Sequence, residues 1–233
     1  MIDVRPFAQL GHANHGWLDA NYHFSFSRYY DPNRMNWGAL RVWNDDIIAP
    51  GTGFGTHPHD NMEIITYVRQ GAIAHEDSLG NKGRTLAGDV QVMSAGTGIR
   101  HSEHNLEDVP THVFQIWIIP NQTGHVPSWG TRSFPKDGRA GRFVTLASGY
   151  PDESEALPIH ADARVLGATL SKGESLEYLL GTQRLAYLVL AKGAIEINGK
   201  TVNERDGVAI SETEELKIRA LEESEIVMVD TAP

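Results

Sequence analysis

The stretch GTHPHDNMEI, residues 55–64, sets His57 and His59 one residue apart and Glu63 four further on. Residues two apart on a strand share a face, so both imidazoles can reach one point. A His-x-His pair alone carries little weight. The stretch GTGIRHSEHN, residues 96–105, repeats the spacing with His101 and Glu103. Two such pairs on neighbouring strands supply three imidazoles and one carboxylate. An octahedral divalent transition metal would take these four and keep two positions open. A closed tetrahedral site would instead be structural zinc.

The rest of the chain narrows the chemistry. Its 233 residues suffice for one large β domain or two small ones. Cysteine is absent, which excludes disulfides, thiolate nucleophiles and cysteine-held clusters and leaves imidazole and oxygen as metal ligands. The net charge of −10, without a Lys/Arg cluster, disfavours direct nucleic-acid binding. No run nears the ~18 apolar residues of a membrane span, and the first residues do not read as a secretory signal. The default expectations are the cytoplasm and a monomer.

Segments such as MEIITYVRQGAIAHED, DVQVMSAG, THVFQIWIIP and LAYLVLAKGAIEIN alternate with a period near two and are rich in Val, Ile and aromatics. They read as strands, punctuated by 23 glycines. The Gly- and Pro-rich stretch 121–141 reads as a connection between two β units. A repeat supports that division, because RQGAIAHEDSLGNKGRTLAGDV (69–90) resembles AKGAIEINGKTVNERDGV (191–208). Gly71, Gly80 and Gly88 match Gly193, Gly199 and Gly207. Projected through these glycines, His57, His59 and Glu63 land on Leu179, Gly181 and Leu185. His101 and Glu103 land on Ala220 and Glu222. Ten of the eleven histidines lie in the first 125 residues. One metal is therefore expected, in a first domain at 1–130, and none in a second at 145–233.

Gly51, His57, His59, Glu63 and Gly71, followed by Gly88, Gly96, Gly98, His101 and Asn105, resemble the two cupin motifs in order. Cupins are jelly-roll barrels with a metal at the mouth. In general cupins the carboxylate ligand stands at the position of Glu63. Here Glu103 is a second candidate. GHANHGWLDANYHFSFSRYYD, LRVWNDDIIAPGTGFGTHPHDNMEIITYVRQG and MSAGTGIRHSEHN are similar to the pirin family. The resemblance covers residues 10–120 closely and the second half loosely. It implies an all-β bicupin, two jelly-roll barrels, whose metal ligands are His57, His59, His101 and Glu103. It further implies a dioxygenase similar to quercetin 2,3-dioxygenase, which opens a flavonol's central ring with O2 and releases carbon monoxide. Fe(II) is the expected ion, with Zn, Mn, Ni, Co and Cu as alternatives. Glu103 would stay a ligand or take the flavonol proton as the catalytic base. The alternative is a non-catalytic, metal-binding pirin that regulates a protein partner.

The remaining candidates read as structural. Glu63 shares the parity of His59 only if the strand is unbroken, and is expected to hydrogen-bond around the site. His104 should face away from the metal, and His75 lines the barrel or satisfies a turn. His12, His15 and His23, with Trp17 and Phe26, should pack the N-terminal segment over the barrel. Phe26, Phe54, Met93 and Phe114 offer an apolar wall to an aromatic ligand, or simply core.

Overall fold

In the computed structural model, which describes residues 1–233, the chain forms 22 strands and two short 3-10 turns. The alternating segments supply the strands, and they assemble twice in the same order. In the first half a seven-stranded sheet runs Ser128–Arg132, Val90–Ser94, Glu63–Gln70, Thr111–Ile118, Leu40–Ile48, Leu18–Tyr22, Gly11–Asn14. A four-stranded sheet accompanies it, in the order Gly53–His59, Ile99–His104, Ala72–Asp77, Lys82–Leu86. The second half repeats this with Ile2–Arg5, Gly207–Ile210, Leu185–Lys192, Ser224–Thr231, Ala163–Leu170, Val144–Ser148 and Leu157–Pro158. Its smaller sheet is Ser175–Leu179, Glu215–Ala220, Ala194–Ile197, Lys200–Asn203. The architecture is all-β, two jelly-roll halves. No helix is long and apolar enough to cross a membrane.

The division at 1–130 and 145–233 needs one amendment. Ile2–Arg5 pairs with Gly207–Ile210, so the N-terminus completes the sheet of the second half. The strand Ser128–Arg132 still pairs with Val90–Ser94 of the first half.

Strand parity places three cores. Ile65, Tyr67, Trp43 and Phe114 point away from the first half's interior and meet Tyr187, Val189, Val227 and Val229 of the second, in a shared core of 24 buried residues. Polar contacts tie the same interface. Asp45, fully buried, accepts from Arg69 at 2.7 Å and from Arg205 of the second half at 2.6 Å. The His23 and Tyr187 side chains hydrogen-bond at 2.9 Å.

The two interiors differ. Gly71 and Gly193 anchor the comparison, since both have positive φ (75° and 86°). A Cβ on Gly71 would meet Thr111 Oγ1 at 2.6 Å, and one on Gly193 would run into the Glu223 carbonyl. From these anchors, cross-strand pairing equates Thr66, Gln91 and Gln115 with Leu188, Val208 and Met228. Asn44 and Asp46 fall on Leu166 and Ala168. The second interior is thus packed with aliphatic side chains, where the first sets these polar groups beside a smaller apolar cluster.

The same pairing corrects the glycine projection. His101 and Glu103 correspond to Leu216 and Ile218, not to Ala220 and Glu222. His57 corresponds to Tyr178 and His59 to Leu180, each one residue before the projected position. Connecting turns of different length shift the count. None of the corrected positions carries an imidazole or a carboxylate.

Candidate metal centre

Strand Gly53–His59 runs antiparallel to Ile99–His104, with His57 directly across from His101 and His59 across from Ile99. The His57 and His101 Nε2 atoms are 3.1 Å apart. Ring centroids lie 4.8 Å apart for His57–His59, 4.5 Å for His57–His101 and 5.1 Å for His59–His101. One nitrogen from each of the three rings falls within 4.8 Å of the others. Two nitrogens bound about 2.1 Å from one ion at a right angle would stand about 3 Å apart, so the His57–His101 spacing fits a shared ion. Burial, then the neighbouring imidazole charges, pushes His101 down to about 3. Burial and His57 push His59 down to about 4. Both rings are therefore neutral near pH 7, the form that ligates a metal.

Glu103 lies beside this triad but is held differently. The ladder shifts register between His101 and Glu103. Its carboxylate falls within 4.8 Å of donors on His101 and His75. It accepts from Gln91 Nε2 at 2.6 Å, Gln115 Nε2 at 2.7 Å and Thr66 Oγ1 at 3.3 Å. Burial pushes it up to about 7, although these hydrogen bonds pull it down. His75 is buried behind His101, Nδ1 to Nδ1 at 3.4 Å. It is held by Asp77 at 3.0 Å and stacked on Trp129 with centroids 4.7 Å apart.

Glu63 is not brought to the site. The strand breaks after His59, where Asn61 adopts φ 45°, and a new strand begins at Glu63. Parity restarts there, and Glu63 faces the other half with Ile65 and Tyr67. It accepts from Ser94 Oγ at 2.6 Å and lies 3.4 Å from His160 Nδ1. His104 joins no cluster of metal-ligating groups, and His12 pairs with Asp19 on the surface at 2.6 Å.

A cavity of about 410 Å³ opens in front of the histidines. Phe26 and Phe54 line it as expected, while Phe114 belongs to the shared core and Met93 to a small cluster with Ile64, Ala95 and Ile99. Trp17 and Trp117 supply the larger walls: Trp17 meets Phe54 edge-on at 5.1 Å, and Trp117 meets Phe26 at 5.4 Å and His59 at 5.0 Å. Asn44, Asp46 and Gln115 give the cavity polar groups that sequence reasoning missed.

Comparison with known proteins agrees with this architecture. The family model described as Pirin matches residues 3–118, and the one described as Quercetinase C-terminal cupin domain matches 145–231. A pirin-like protein of Caulobacter vibrioides is 63% identical over 100% of both chains. The quercetin 2,3-dioxygenase of Escherichia coli K12 is 44% identical, again over 100% of both. The crystal structure of the bacterial pirin YhhW from Escherichia coli, in complex with nickel(II), superposes with a TM-score of 0.94 at 42% identity, covering 100% of each chain. The chain is a member of the pirin family, with two cupin domains.

Proposed function

We propose that the protein is a metal-dependent dioxygenase that opens flavonols such as quercetin with O2. The observation that carries this reading is the convergence of three imidazoles at the wall of an aromatic-lined cavity, with a buried carboxylate beside them. His57, His59 and His101 would hold the ion and Glu103 would complete the set. Fe(II) is the ion proposed, and the nickel(II) in the Escherichia coli relative supports occupancy by a divalent transition metal. Bound there, the ion supplies a Lewis acid that makes a coordinated hydroxyl more acidic.

The chain's own groups do the rest. Trp17, Phe54 and Trp117 hold a flat ring system and exclude competing water. Glu103 takes the proton of the flavonol 3-hydroxyl at a carboxylate oxygen. Burial raises this carboxyl in the metal-free protein, and a cation beside it would favour the charged form that accepts a proton. Gln91, Gln115 and Thr66 fix its orientation and stabilise its charge. Anaerobically purified protein loaded with Fe(II) should consume O2 on addition of quercetin and release carbon monoxide in step. No uptake with any flavonol under metal-replete conditions would remove the dioxygenase reading.

A further inference from the structure

Asn44 and Asp46 line the cavity from strand Leu40–Ile48 and are 5% and 3% exposed. The Oδ1 atoms of both are buried without a hydrogen-bond partner. An unpartnered buried polar atom costs about 1–3 kcal/mol, and native interiors rarely keep one without a use. The fold does not ask for polarity here, because the equivalent positions of the second half are Leu166 and Ala168.

Their place along the strand is informative. Trp117, which touches His59, pairs with Val42; Gln115, which holds Glu103, pairs with Asn44; Val113 pairs with Asp46. Asp46 therefore lies about 13 Å along the strand from the level of Trp117, at ~3.3 Å per residue. Asn44, level with the Gln115 that holds Glu103, is the nearer of the two, and Asp46 lies about 7 Å beyond it, a reach that suits a ligand of two or three rings presented edge-on to the histidines.

We propose that Asn44 and Asp46 form a subsite that recognises a phenolic hydroxyl on the part of the ligand remote from the histidines. The cavity then selects aromatics carrying a ring hydroxyl beyond the one offered to the metal. The pairing of groups supports a hydroxyl over other ligands. An amide can both donate and accept. Burial, together with Asp45, Glu103 and Asp19, holds the Asp46 carboxyl well above the usual carboxylate range, so it too can donate and accept. The same acidic neighbours repel an anionic ligand group. The proposal rests on the flavonol reading above.

The test is ligand binding without turnover. Nickel(II)-loaded protein under nitrogen is titrated with 3-hydroxyflavone, which carries only the metal-directed hydroxyl, and with quercetin. Quenching of Trp17 and Trp117 reports occupancy. Wild type should bind quercetin at least about tenfold more tightly, the net effect of about one hydrogen bond. In the Asn44→Leu/Asp46→Ala double variant, which copies the second half, the ratio should collapse to about one. The isosteric Asp46→Asn should keep most of it. The double variant's melting temperature should hold or rise, because unpartnered polar atoms are removed. A wild-type ratio near one, an undiminished ratio in the double variant, or a melting temperature lowered by more than about 5 °C would overturn the subsite. If 3-hydroxyflavone binds, such a failure leaves the flavonol reading standing. If neither flavonol binds wild type, both fall.

Discussion

His101 stands between two other histidines, its Nε2 toward His57 and its Nδ1 toward His75. His101→Ala should lose nearly all bound metal after gel filtration while the strands persist, and wild-type metal content by elemental analysis would exclude it from the site. Spacing made His57, His59 and His101 legible, because the two-residue period survives within each strand. Glu63 was misread because Asn61 turns the chain and restarts the parity. Asn44 and Asp46 were illegible because VWNDD is polar on both faces: Asp45 looks out to Arg69 and Arg205, its neighbours inward. His23 carries a pH prediction. Burial, then Arg5 and Arg34, pushes it down to about 3 from 6.5. Below pH 6.5 the unfolded chain takes a proton that the folded chain refuses, so stability falls with pH down to about 3. Between pH 6.5 and 5 this withdraws up to about 2 kcal/mol. Denaturant unfolding of wild type and His23→Gln at both pH values should show a steeper loss in wild type. Parallel slopes would contradict it.

At the scale of elements, the glycines of 69–90 and 191–208 revealed the repeat because the turn geometry of Gly71 and Gly193 demands them. They could not carry the register of later strands, since the intervening turns differ in length, and the projection of His101 missed by four residues. Only pairing shows that Leu216, Ile218 and Met228 occupy the places of His101, Glu103 and Gln115. An aliphatic interior offers an ion no ligand, so the protein should bind one equivalent of metal per chain. Replacing Tyr178, the counterpart of His57, by Phe should leave that stoichiometry unchanged. Two tightly held equivalents would contradict the comparison of the halves.

The whole molecule rests on the face between the halves, where 24 buried residues form one core and the Asp45 carboxylate lies between Arg69 and Arg205. Asp45→Ala leaves both guanidinium groups without that partner and should cost about 3–5 kcal/mol. A loss below about 1 kcal/mol in chemical denaturation would mean that the pair adds little to the interface. The all-β class and the two halves were legible from alternation and repetition. The crossing of Ile2–Arg5 into the second sheet was not, because a four-residue strand has no local signal for its partner. The proposed chemistry belongs to the first half, and the most direct test compares two of its buried carboxylates, Glu103 beside the histidines and Glu63 facing the other half. Metal content and quercetin-dependent oxygen uptake are measured side by side for wild type, Glu103→Gln and Glu63→Gln. Glu103→Gln should keep much of its metal yet lose uptake by about 10²–10⁴-fold, the range for a missing acid–base group. Glu63→Gln should stay near wild type in both. A dead Glu63→Gln beside a fully active Glu103→Gln would contradict the account.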